Sequence, residues 1–248
     1  MKVQREFRFS QNNIAPISSN LQHQFAANHA LCIYKTDSIY TFIPKNACST
    51  MRLSLAINNG FISNINQFKW IHNNNHAFSA NLGELVKAKF TFVILRNPYL
   101  RIASAYLDMI VNKKPGMWSL IDNLEEKIDL DKLTFLKFLK IIDMQKNLLS
   151  MNIHWVPQIN FLVYKHYDSY IQFEKFEEEK KIIEKNCDIK IYDARKLILH
   201  GNDLYKQISD KNYAEIDPIE IYNLRKKGNS PAETVMHNEE TKKIVSSF

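Results

Sequence analysis

Two stretches of the chain place a cation where an anion could be held. Lys45 is followed by Ser49 and Thr50, and Arg96 ends an apolar run. A guanidinium grips an oxyanion through a planar fork of N–H groups, while an ammonium supplies a compact charge. His72, His76 and His154 add groups able to take up a proton near neutral pH. His72 and His76 stand four apart, but the asparagines between them argue against a helix and no third ligand is evident. A zinc site is therefore not expected.

These residues need elements to position them. Leu31–Lys35 and Ile39–Ile43 are rich in β-branched and aromatic residues, with Thr36-Asp37-Ser38 between them, which predicts a β-hairpin. Pro44 ends its second strand. Met51, Leu55 and Ala56 recur at helical spacing and Gly60 follows, so a helix is predicted over 49–59. Pro44-Lys45-Asn46-Ala47-Cys48 is then a strand-to-helix loop. Phe90–Leu95 is a continuous apolar run, the mark of a strand buried on both faces. Asn97 suits an N-cap and Pro98 the first helical position, with Leu100, Ala103, Leu107, Ile110 and Val111 as the apolar stripe. Arg96 thus sits at a second strand-to-helix junction, and Arg101 reads as a structural ion-pair partner. A helix is predicted over 134–148, with Phe135, Phe138, Leu139 and Ile142 on one face. Another, charged and solvated, is predicted over 177–186.

Strands alternating with helices predict an α/β fold with a central parallel sheet flanked by helices. Ligands of such sheets bind beyond the carboxyl ends of the strands, where helix N-termini offer free N–H groups to phosphate. Two such junctions, each with a cation, suit an anionic nucleotide. The first is P-loop-like, but no glycine occurs between Tyr40 and Asn59. The Gly-rich wrap that a nucleoside triphosphate requires is missing.

Composition sets the remaining bounds. The 248 residues carry a net charge of +7, which suggests an anionic partner: a nucleotide, an anionic sugar, or an acidic membrane surface nearby. The lysines are dispersed, so a nucleic-acid-binding tail is not expected. Three cysteines, Cys32, Cys48 and Cys187, are too few and too far apart for a disulfide framework. No run of 18 apolar residues occurs, and Met1 to Ser10 is polar rather than a signal peptide, so a cytoplasmic location is expected. With only 5 Gly and 7 Pro and no low-complexity linker, residues 1–248 are expected to form a single domain.

Four segments, in order, resemble the carbohydrate sulfotransferases that modify chondroitin, dermatan and heparan sulfate. Ile43-Pro44-Lys45-Asn46-Ala47-Cys48-Ser49-Thr50 resembles their 5′-phosphosulfate-binding segment. Phe92 through Tyr106, with Arg96 ending the strand and Ser104 after it, resembles their 3′-phosphate-binding segment. His154-Trp155-Val156-Pro157-Gln158 is similar to an HWxPQ-type segment, and Tyr167-Asp168 through Phe173-Glu174 to the YD…FE segment that follows. Asn97 stands where many members carry Asp.

The resemblance implies a P-loop-like sulfotransferase fold in a soluble, bacterial-type member. It implies transfer of a sulfuryl group from 3′-phosphoadenosine 5′-phosphosulfate (PAPS) to a hydroxyl of a carbohydrate or glycolipid, with adenosine 3′,5′-bisphosphate (PAP) as product and no metal. Lys45, Asn46, Ala47, Cys48, Ser49 and Thr50 would cradle the 5′ group, and Arg96 and Ser104 would hold the 3′-phosphate. Lys45 would also serve catalysis, at the bridging oxygen. His76, within His72-Asn73-Asn74-Asn75-His76-Ala77-Phe78, matches the place of a basic histidine in heparan sulfate 2-O-sulfotransferase-like members. His72 is the alternative base, and His72 and His154 are candidates for the acceptor cleft. Two other readings stay open on the residues alone: an ATP-dependent small-molecule kinase, and a non-catalytic nucleotide- or glycan-binding protein.

Overall fold

A computed structural model describes residues 5–10, 16–74, 76–124, 128–195, 197 and 204–248. Met1–Gln4 of the polar N-terminal stretch and Asn75 of the His72–His76 segment lie outside the described residues. The helices and strands run in chain order as α1 (Leu21–Ala27), β1 (Ala30–Ile33), β2 (Ser38–Thr41), α2 (Cys48–Asn58), α3 (Trp70–Asn73), α4 (Leu82–Lys87), β3 (Phe90–Leu95), α5 (Pro98–Tyr106), α6 (Trp118–Ile121), α7 (Phe135–Met144), β4 (Ser169–Gln172), α8 (Phe176–Cys187), β5 (Lys206–Ile208), α9 (Pro218–Lys226), β6 (Asn229–Pro231) and α10 (Glu239–Val245). They fall into two compact units, Met1–Arg96 with Gln158–Leu197, and Asn97–Pro157 with Ile198–Phe248.

The first unit is built on a four-stranded sheet of order β1-β2-β3-β4. The hairpin expected from the sequence is present, β1 running antiparallel to β2 with Leu31 opposite Tyr40. β2, β3 and β4 are parallel, with Tyr40 beside Phe92 and Phe92 beside Ser169. The apolar run of β3 is buried as its composition requires, Phe92, Val93 and Ile94 being wholly inaccessible. The outer edge of β1 is covered by its own chain. Cys32 N–H donates to Phe78 O and Ala80 N–H to Ala30 O, each at 2.8 Å, which satisfies groups that would otherwise template pairing with another strand. Cys32 and Cys187 are free, buried thiols, and burial pushes both up to about 12.

A polar stripe on α2 docks a later stretch of chain. Thr50 Oγ1 accepts from Ala194 N at 3.3 Å, Ser54 Oγ from Tyr192 N at 2.8 Å, and Asn58 Oδ1 from Lys190 N at 3.2 Å. The three side chains stand four residues apart, which puts them on one face of the helix.

The second unit has its own core. Tyr106, Phe135, Phe138, Leu139, Trp155 and Ile221 meet in one buried cluster. The aromatic polar atoms are satisfied, Tyr106 Oη donating to Leu133 O at 2.9 Å and Trp155 Nε1 to Leu148 O at 3.0 Å. Asn97 and Pro98 cap and open α5 as the sequence predicts, the Asn97 side chain accepting from Tyr99 N and Leu100 N. α5 runs on into a π-helical turn, Leu107–Val111. α7 ends earlier than predicted: Gln145 leaves the helical region at φ −121°, ψ 76°, and Lys146–Ser150 continue as a tighter 3-10 turn. Arg101 is buried on α5. It donates to Val156 O at 2.8 Å and Ile153 O at 3.2 Å. No helix of the described residues is long and apolar enough to cross a membrane.

Candidate active site

The carboxyl ends of the three parallel strands of the first unit bring together Lys45, beyond β2, Arg96, directly after β3, and Phe173, directly after β4. This is where an open α/β sheet binds its ligands. Arg96 Nη1 donates to the Lys45 carbonyl at 2.9 Å, and its guanidinium lies 4.3 Å from the centroid of the Phe173 ring. Arg96 is buried at 9% exposure, so the ring and the carbonyl hold the fork in one orientation.

The loop between β2 and α2 is tightly wound. Lys45 has φ 73° and Ala47 φ 54°, both left-handed in residues other than glycine. Such turns aim successive N–H groups into one concavity, a nest for an anion. Ala47 caps α2 without a side-chain hydrogen bond, and no described residue accepts from the N–H groups of Cys48, Ser49 or Thr50. The first turn of an eleven-residue helix thus keeps its donors and the positive end of its dipole for a ligand.

Two amides lock the loop to β3. Asn46 is fully buried, and its Nδ2 donates to Ile94 O at 2.8 Å and to Gln158 Oε1 at 2.6 Å. Gln158 brackets the backbone of Arg96: its Oε1 accepts from Arg96 N at 3.0 Å and its Nε2 donates to Arg96 O at 2.8 Å. The loop and the arginine are therefore positioned as one piece. Gln158 lies in a segment whose resemblance flagged it, but no spacing in the sequence says that its amide faces Arg96.

The remaining candidates are placed as follows. Thr50 is buried, its hydroxyl accepting from Ala194 N, while Ser49 is half-buried. His72 ends up on the short helix α3 despite its asparagine neighbours, and His76 lies in a turn. Both are exposed, and the His76 ring makes no hydrogen bond to a described residue. Ser104, buried on α5, and His154, whose Nδ1 lies 2.7 Å from Asn152 Oδ1, belong to the second unit.

One histidine passed over in the sequence stands out. His29 precedes β1, is buried, and its Nδ1 lies 2.7 Å from Phe25 O, so the proton sits on Nδ1 and Nε2 is the basic nitrogen. Burial lowers its pKa. The Phe25 carbonyl works against that shift, and the charge of His76 adds to it. Among the described residues no group of three or more His, Cys, Asp or Glu side chains could hold a metal ion.

Residues 29–214 match the Sulfotransferase family, a stretch that takes in both strand-to-helix junctions and the Gln158 clamp. The chain belongs to that family, whose chemistry is sulfuryl transfer. No curated protein and no solved structure matches it.

Proposed function

We propose that the chain transfers a sulfuryl group from PAPS to a hydroxyl of a carbohydrate or glycolipid, leaving PAP. The observation that carries this reading is the uncapped, left-handed entry to α2 fixed to Arg96 through Asn46 and Gln158. It offers a compact anion cradle with two cations and no room-making glycine, which suits a phosphosulfate better than a triphosphate.

Sulfuryl transfer resembles phosphoryl transfer in its demands: alignment and charge stabilisation, with little covalent work for the protein. The bond from sulfur to the bridging oxygen breaks as a bond to the acceptor oxygen forms. Lys45 neutralises charge gathering on the departing phosphate, and the N–H groups of Ala47 to Thr50 hold its oxygens. Arg96 binds the 3′-phosphate. His76, exposed to an incoming acceptor, takes the hydroxyl proton.

A thermal-shift comparison of two nucleotides tests the donor site. PAP at about 100 times its Kd should stabilise by about 2.7 kcal/mol, roughly 5–10 °C for a chain of this size. Adenosine 5′-monophosphate, lacking the 3′-phosphate, should give a clearly smaller shift, and Arg96→Ala should remove most of the difference. Equal shifts for both nucleotides in the wild type would contradict the reading. A shift seen only with ATP and magnesium would replace it with a kinase.

A further inference from the structure

The chain around His72 and His76 carries an exposed aromatic surface that the donor cradle does not use. Tyr34, just after β1, is 47% exposed, and Phe61, just after α2, is 39% exposed. Their ring centroids lie 6.4 Å apart. Trp70, half-buried at the start of α3, stacks on Phe61 at 5.5 Å and on Phe78 at 6.4 Å, with interplanar angles of 30° and 16°. Phe78 is buried and also meets Phe61 at 5.5 Å, so it backs both rings.

The backbone holds these rings in place. Asn59 Oδ1 accepts from Tyr34 N at 3.2 Å, and its Nδ2 donates to Cys32 O at 2.8 Å. Gly60, at φ 80°, then turns the chain so that Phe61 N–H reaches Ala56 O at 2.9 Å. With the backbone fixed and the rings in mutual contact, a ligand has little left to order.

The chemistry around the rings selects the partner. From Asn58 to Ala80 the chain has a single formal charge, Lys69, although 24% of all residues are charged. Amides stand there instead, and Asn64, Asn66, Gln67 and Asn73 are exposed. Of the charges on neighbouring chain, Glu84 closes the cap of α4 and Lys35 pairs with Asp188. A nucleic acid, an anionic lipid surface or a polyanionic glycan is drawn by clustered cations, which this face lacks. An uncharged sugar suits it: the C–H face of a pyranose packs on an aromatic ring, and its hydroxyls exchange hydrogen bonds with amides.

β1 runs antiparallel to β2, so Tyr34 lies at the far end of that strand from the Lys45 loop, about 14 Å along four residues. The chain from His76 to Ala80 follows the edge between them. The His76 carbonyl accepts from Ser79 N at 3.2 Å, and Ala80 N–H reaches Ala30 O, opposite Thr41. We propose that Tyr34, Phe61 and Trp70 dock an uncharged oligosaccharide through sugar units remote from the hydroxyl that reacts. The place of this surface in catalysis rests on the transfer proposed above, whereas its affinity for sugar does not. A single sugar cannot span from these rings to the cradle, so the surface favours an oligomeric acceptor.

The probes are the β-1,4- and α-1,4-linked glucose tetramers and the N-acetylglucosamine tetramer, titrated by calorimetry without donor. An unsulfated chondroitin tetrasaccharide is the anionic comparison. At least one neutral tetramer should bind saturably and shift the emission of Trp70, one of 3 tryptophans. Its affinity should change less than about twofold between roughly 50 and 500 mM salt, where an ionic site weakens steeply. Phe61→Ala should weaken it about tenfold and Tyr34→Ala several-fold, while Phe61→Tyr, which keeps the ring, should bind like wild type. Unchanged PAP affinity in each variant reports an intact fold; if Phe61→Ala loses it, Tyr34→Ala decides. No binding by any neutral tetramer, binding by the anionic one alone, or binding unmoved by the alanine variants would overturn the proposal. So would a dimer in sedimentation velocity that Phe61→Ala dissolves, which would give the surface to a second copy of the chain. Sugar binding in a protein that does not bind PAP would leave this surface standing and refute the transfer reading instead.

Discussion

Replacing Gln158 by alanine should disable the donor site without touching any donor-binding group. The side chain makes three hydrogen bonds, to Arg96 N at 3.0 Å, Arg96 O at 2.8 Å and Asn46 Nδ2 at 2.6 Å. Each is worth about 0.5–1.5 kcal/mol, and since Gln158 is only half-buried water replaces part of the loss, leaving about 2–3 kcal/mol. For a chain of this size that is a fall of roughly 4–12 °C in Tm. If half of it is spent in letting the Lys45 loop and Arg96 drift apart, PAP affinity falls about tenfold. Gln158→Glu keeps the acceptor oxygens but cannot donate to Arg96 O, and should fall between wild type and alanine. Thermal melting and PAP titration by calorimetry measure both quantities. A variant that melts within about 1 °C of wild type would refute the bond ledger. One that melts lower but binds PAP unchanged would show that the clamp supports the fold and not the cradle.

His76→Ala should lower turnover by about 10² to 10⁴ in a labelled-sulfate transfer assay with PAP affinity unchanged, and His72→Ala should do less; the reverse order would place the base at His72. Acid should destabilise the protein before its carboxylates titrate. Burial lowers the pKa of His23, His29 and His237, so below the unfolded value of about 6.5 the unfolded chain binds more protons and stability falls with pH. Melting followed from pH 7.5 to 5 should show this, and His29→Phe should flatten the curve; a profile level across that range would refute it.

Local signals carried the central strand of the first unit and the helix start that follows it in the second. The apolar run of Phe90–Leu95, the Asn97 cap and Pro98 each act within a few residues, and the structure has the strand and the helix start where these predict. The end of α7 was harder, because Lys146–Ser150 keeps its apolar residues at positions that suit a 3-10 turn as well as an α-helix. The β5–β6 pair escaped because three-residue strands, Lys206–Ile208 and Asn229–Pro231, are too short to show alternation. At the site, the cations were legible by type and spacing. What holds them was not: the Asn46–Gln158 bond joins residues 112 apart, and a glutamine after a proline has no pattern that marks it as a clamp.

The loop also explains how an anion cradle can do without glycine. Left-handed conformations at Lys45 and Ala47 cost of order 1 kcal/mol each, a cost that glycine would avoid. Here they persist because the surroundings over-determine them. The Lys45 carbonyl takes a charged hydrogen bond from Arg96, worth about 1.5–3 kcal/mol, and the buried Asn46 amide adds two more bonds from the residue between the two strained ones. The compensation comes from the same arginine that is proposed to meet the 3′-phosphate. Donor recognition at one end of the nucleotide and backbone shape at the other are therefore not independent. A substitution at Arg96 removes a ligand and relaxes the loop at once, whereas one at Gln158 does only the second.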